Sequence, residues 1–172
     1  MRLRVPSLLI AAIACAALQA QPAAPVWKTW RTKACSLNYP GDWALNNTGT
    51  EGTTVMVLAP EDSAKHYRSH VDLVTLDTKG ADLQGFLEAA EQRLRAEVSG
   101  LTMLRSETER APAEVHTFEY TGRMDGRELR FRQMVRVAKG KAYLLTYVAE
   151  PDLYDEHLYL ADAIQNSFSL TR

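Results

Sequence analysis

The sequence predicts an α+β fold: an antiparallel β-sheet, with a three-strand meander toward its C-terminus, accompanied by two helices. Three observations carry this. Residues 113–148 contain three runs of alternating residues separated by Asp125-Gly126 and Lys139-Gly140, dipeptides suited to two-residue hairpin turns. Leu83, Phe86, Leu87, Ala90, Leu94 and Val98 recur at the spacing of one helical face, and a second such stripe follows Pro151. Residues 53–59 and 71–76 are short runs rich in β-branched side chains, which suit a pleated surface.

The meander has one self-consistent register. A two-residue turn at Asp125-Gly126 opposes Gly122 with Leu129, Tyr120 with Phe131, Phe118 with Gln133 and His116 with Val135, all on one face. The other face pairs Thr121 with Arg130, Glu119 with Arg132 and Val115 with Arg136. The turn at Lys139-Gly140 adds Ala142, Leu144, Thr146 and Val148 to the apolar row and sets Tyr143 beside Arg136 and Tyr147 beside Arg132. A slip of one residue would mix apolar with charged side chains. Phe118, Tyr120, Leu129, Phe131, Val135 and Leu144 are therefore expected in the core, with Phe131 at its centre.

The chain is 172 residues long, 46% hydrophobic and 24% charged, a composition that fits one ordinary globular domain. Its start is different. Arg2 and Arg4 precede an apolar run over residues 5–18, too short to span a bilayer, and Leu18-Gln19-Ala20 places a small residue at a cleavage position. Residues 1–20 read as a signal peptide, with a mature start at Gln21 and a periplasmic or secreted product. A rival reading takes Ala12-Ile13-Ala14-Cys15 as a lipoprotein signal, with Cys15 lipidated and membrane-anchored. In neither case does the mature chain hold a transmembrane span. The leader takes two of the 20 basic residues and no acid, leaving 18 against 21 acidic residues, which gives no support for nucleic-acid binding. Cleavage after Ala20 leaves Cys35 as the sole cysteine, so the fold is held by its core.

Residues 21–33 form a tether and lead-in, and residues 34–172 a single domain. Trp27 and Trp30 flank Lys28, Arg31 and Lys33 in the lead-in. Residues 34–39 read as the first strand, stopped by Pro40-Gly41, with Trp43 plugging the core beside that turn. Residues 46–52 read as a polar loop, 53–59 and 71–76 as the next strands, and 60–69 as a charged connection. Asp82 caps a helix over 83–98, whose solvated side pairs Glu91 with Arg95 and which Gly100 closes. Residues 101–109 read as a strand leading through Pro112 to the meander. Pro151 and Asp152 open the last helix, with Leu153, His157, Leu160, Ala161 and Ile164 as its apolar stripe, and Asp152, Asp155 and Glu156 at its positive end. A short strand closes the chain over 166–170.

The sequence contains no phosphate-cradling glycine loop, no Gly-x-Ser-x-Gly elbow, no His-Glu-x-x-His pair and no Cys-x-x-Cys. His66 and His70 stand four apart, the spacing of two imidazoles on one helical face, but in a charged connection; no metal site and no cofactor is assigned. His116 and His157 fall on apolar rows as hydrogen-bonded interior residues, and Cys35 as a small buried one. Gln133 and Thr146 form a polar pair that either satisfies itself across the strands or floors a small pocket.

The order of Tyr39-Pro40-Gly41-Asp42-Trp43, a helix in mid-chain, a three-strand meander and a last helix ending on Asn166-Ser167-Phe168 resembles the PsbP-like domains, including bacterial envelope proteins similar to DcrB. The resemblance spans residues 34–170. It implies an antiparallel sheet between helices and a non-catalytic assembly or binding role, and it supplies no functional residue.

The expected function is a non-enzymatic secreted or periplasmic binding or assembly module that takes an envelope protein or a small ligand. The alternative is an envelope hydrolase with a site built from scattered residues. The expected partner site is the polar face of the meander: Arg130, Arg132 and Arg136 with Tyr143 and Tyr147, since arginine and tyrosine concentrate at interface hot spots. The competing reading covers this face with a helix, leaving Glu119 and the acids of the last helix to neutralise the arginines.

Overall fold

The structure, a computed structural model, describes residues 25–61, 67–110 and 112–171. The leader with its cut, Cys15 and His66 lie outside these residues. The described chain forms strands β1 (Trp27–Arg31), β2 (Cys35–Pro40), β3 (Ala44–Asn46), β4 (Val55–Leu58) and β5 (His70–Asp77), helix α1 (Leu83–Glu97), then β6 (Ser99–Glu109), β7 (Val115–Met124), β8 (Arg127–Ala138) and β9 (Lys141–Ala149), helix α2 (Tyr154–Asn166), and β10 (Ser169–Leu170). They build an α+β fold with two antiparallel sheets. The large one runs β3-β4-β5-β9-β8-β7-β6, and the small one β1-β2-β10.

The meander adopts the expected register: Tyr120 faces Phe131, His116 faces Val135, Gln133 faces Thr146 and Tyr147 faces Arg132. Its turns explain why. Asp125 and Lys139 both take φ 52°, with Gly126 at 78° and Gly140 at 73°. Two successive left-handed residues give the turn whose twist matches that of the flanking strands. On α1, the Asp82 side chain accepts from the Gly85 amide at 2.9 Å and so caps the helix start. Glu91 and Arg95 pair at 2.6 Å on the outer surface.

Each face of the large sheet carries a buried cluster. On one, Leu83 and Leu87 of α1 join Val98, Phe118, Tyr120, Leu129, Phe131 and Val135. On the other, Tyr143, Leu145 and Tyr147 meet Leu160, Ala161, Ile164 and Phe168, together with Trp30, Leu37, Tyr39 and Trp43. The second face is thus shared between α2 and the small sheet, and only the first is covered by a helix alone. Trp43 is buried as expected, with its ring edge-on to His157 at 5.6 Å.

Several local expectations are corrected. Strands begin at Trp27, within the stretch read as a lead-in, because β1 pairs with residues 36–40 of β2. Ala44–Asn46 is a strand because β4 offers it an edge. Leu144 is only partly buried, whereas Phe118, Tyr120, Leu129, Phe131 and Val135 are core residues. A 3-10 turn over Pro151–Leu153 precedes α2, and Tyr154, absent from the expected stripe, is fully buried.

Candidate functional site

The polar face of the meander lies largely under α2 and the small sheet. Tyr143 and Tyr147 are core residues there, which corrects the expectation that they stand open to a partner. Tyr143 lies 5.5 Å from the ring of Phe168 and Tyr147 5.1 Å from that of Tyr154. The Tyr147 hydroxyl donates to the Tyr154 carbonyl at 2.8 Å. Burial pushes the Tyr120, Tyr147 and Tyr154 hydroxyls well above the ordinary tyrosine range, so all three stay protonated near neutral pH.

The three arginines differ in what holds them. Arg130 donates from Nε to Glu119 at 3.0 Å, pairs with the same carboxylate through Nη2, and stacks over the Tyr154 ring. Arg132 is ion-paired with Asp162 of α2, while its carbonyl accepts from the Gln165 side chain at 3.0 Å. Arg136 is half-buried, and among the described residues no carboxylate pairs with it.

Arg132 and Arg136 line one groove, of about 260 Å³. Val115 and Thr117 of β7 and Met134 of β8 share its lining with them. Asn166 and Phe168 border it from the end of α2, and Pro112 and Ala113 from the β6–β7 connection. Glu109, Thr117, Gln165 and Asn166 add polar groups to the lining, so the Arg136 guanidinium stands in a mixed polar and apolar groove, where it can take a carboxylate while Glu109 opposes further negative charge. Alternation put Arg132, Met134 and Arg136 on one face, and the competing reading of a helix over this face, its acids meeting the arginines, fits the Arg132–Asp162 pair; that the end of α2 borders a groove there had no sequence signal. A second groove, of about 440 Å³, lies beside Ser99, Gly100, Gly122 and Leu129.

His116 is buried, and its ring nitrogens meet Ser106 Oγ at 3.1 Å and Thr108 Oγ1 at 2.7 Å. Burial pushes its pKa below the ordinary histidine value, with Glu91 opposing. A serine beside a histidine is the start of a nucleophile and base, but neither residue lines either groove, and the contacts clamp β6 to β7. His70 meets Asp72 at 3.8 Å and the Arg68 carbonyl at 3.2 Å. No group of three or more His, Cys, Asp or Glu converges among the described residues. Cys35 is buried against Thr32, and Gln133 donates to Thr146 Oγ1 at 3.1 Å, the self-satisfied pair. No helix among the described residues is long and apolar enough to cross a membrane.

No family model and no curated protein matches the sequence. Solved structures do match the fold. Cyanobacterial PsbP (CyanoP) from Synechocystis sp. PCC 6803 is 12% identical, with a TM-score of 0.65 over 90% of this chain and 99% of its own. LpqN, involved in cell envelope biogenesis of Mycobacterium tuberculosis, is 14% identical, with a TM-score of 0.63 over 90% of this chain and 88% of its own. PA94 from Pseudomonas aeruginosa, a protein of unknown function, is 13% identical, with a TM-score of 0.61 over 85% of this chain and 97% of its own. The sheet order, the two helices and these likenesses together make the chain PsbP-like in fold.

Proposed function

We propose that this chain is a non-enzymatic binding or assembly module of the cell envelope, and that it receives a partner bearing a carboxylate in the groove of Arg132 and Arg136. The observation that carries this reading is the difference among the arginines. Arg130 and Arg132 have carboxylate partners, whereas Arg136 has none among the described residues and lines the groove. A half-buried guanidinium with no carboxylate partner retains the capacity to bind an anion with two parallel hydrogen bonds. Envelope location is supported by the apolar leader read from residues 1–20 and by the structural likeness to LpqN.

The test places a photo-crosslinking amino acid at Thr117, in the groove, or at Tyr159, exposed on α2. Cells carrying each variant are irradiated and then fractionated. An envelope-fraction adduct formed from Thr117 and lost on adding Arg136→Glu supports the proposal. Adducts of equal yield from both positions, or an adduct indifferent to Arg136→Glu, count against the groove. Recovery of the protein in the cytoplasmic fraction counts against the location.

A further inference from the structure

β6 closes one end of the large sheet, with β7 on its inner side and no strand among the described residues on its outer side. Its outward N–H and C=O groups form a template for another strand. Two register shifts against β7, between Ser99 and Thr102 and between Met103 and Arg105, interrupt the N-terminal half. Bulges of this kind discourage pairing there. Beyond them the ladder is unbroken, from Arg105 opposite Glu119 to Glu109 opposite Val115. Ser106 and Thr108 are bonded to the two ring nitrogens of His116, which holds this segment against β7. The outer edge is thus regular and braced over five residues, 105–109.

An edge bearing charges of one sign would repel a copy of itself, but Arg105 and Glu107 are opposite, stand two apart on one face and pair with each other at 2.6 Å, a partnership that a second copy can exchange for its own. We propose that this edge pairs antiparallel with the same edge of a second copy about a two-fold axis at Ser106, with Arg105, Ser106 and Glu107 as the mutually paired residues. That register sets Arg105 against Glu107 of the second copy, Glu107 against the second copy's Arg105, and Ser106 against itself. A two-fold axis normal to the sheet passes only through a residue position, so the other registers can be compared directly. An axis at Arg105 or Glu107 opposes like charges at its centre, and one at Thr108 opposes Glu107 with Glu109. Because the axis is normal to the sheet, both Arg136 grooves open on the same face of the pair. Three paired residues a side is a small contact, so the dimer belongs to the weak, concentration-dependent class.

Sedimentation velocity of the purified protein over a concentration series tests this. The expected result is a dimer fraction that rises with concentration. Glu107→Arg, which sets four cations together, weakens dimerisation about tenfold or more, since like charges directly opposed are unfavourable. Adding Arg105→Glu to that variant restores the opposed pairs and the dimer. Ser106→Cys gives an interchain disulfide under mild oxidation, while Cys35, being buried, gives none. A protein that stays monomeric at every concentration overturns the proposal. So does a dimer unaffected by Glu107→Arg, or one in which Ser106→Cys does not cross-link. Melting temperatures of the variants confirm that each is folded when assayed.

Discussion

The guanidinium of Arg130 lies 4.0 Å from the centroid of the Tyr154 ring, joining the start of α2 to the first half of β8. Glu119 holds the guanidinium from the other side through Nε at 3.0 Å. A cation placed over an aromatic face and paired with a carboxylate is favourable where water is partly excluded, as here.

Tyr154 separates ring from hydroxyl. Its Oη is buried with no hydrogen-bond partner among the described residues. An unpaired buried hydroxyl costs free energy, so Tyr154→Phe is expected to leave the melting temperature unchanged or raise it. Tyr154→Ala removes the ring itself and is expected to cost about 3 to 5 kcal/mol in chemical denaturation.

Arg132 and Arg136 should behave oppositely. Arg132→Ala leaves Asp162 half-buried without its partner and should cost about 1 to 2 kcal/mol, between the values for exposed and buried pairs. Arg136→Ala breaks no ion pair among the described residues, so its melting temperature should hold while the Thr117 cross-link is lost. A loss of stability from Arg136→Ala equal to that from Arg132→Ala would make the groove arginine structural.

The histidine clamp predicts a pH dependence. Burial lowers the His116 pKa below its unfolded value, so the unfolded state binds the proton more readily. The stability it contributes is therefore present above the unfolded value of about 6.5 and is lost as pH falls through the lower folded value. His116→Asn should flatten the melting-temperature profile over that window relative to the parent protein. Parallel profiles for the two proteins would show that His116 does not couple folding to pH.

Phe131 sits at the centre of the α1-side core, stacked on Tyr120 with centroids 4.7 Å apart. Phe131→Ala is expected to cost about 3 to 5 kcal/mol, as large-to-small changes in a packed core do. A denaturation midpoint unmoved by the substitution would contradict this placement.

Gly122 faces the chain where α1 turns into β6. A Cβ there would collide with Val98 Cγ1 and lie 3.2 Å from the Ser99 carbonyl oxygen. Gly122→Ala should therefore destabilise by about 1 to 3 kcal/mol through overpacking, with a matching fall in melting temperature. Gly126 has open space around it but φ 78°, so Gly126→Ala tests turn conformation rather than packing.

The meander was legible from the sequence because its information is local. Alternation assigns each residue to a face, and Asp125-Gly126 and Lys139-Gly140 set the turns and hence the register of β7, β8 and β9. Both helices were legible for the same reason, through the periodic stripes of α1 and α2 and the Asp82 cap. Tertiary structure alone decided what covers each face. Tyr143 and Tyr147 share a face with three arginines, and only the docking of α2 and the small sheet makes them core and leaves Arg136 at the groove. β1 and β3 were hidden because Trp27–Arg31 and Ala44–Asn46 carry weak patterns, and distant strands supply their hydrogen bonds. A period of two records which side chains travel together, whereas burial depends on the segment that arrives from elsewhere in the chain.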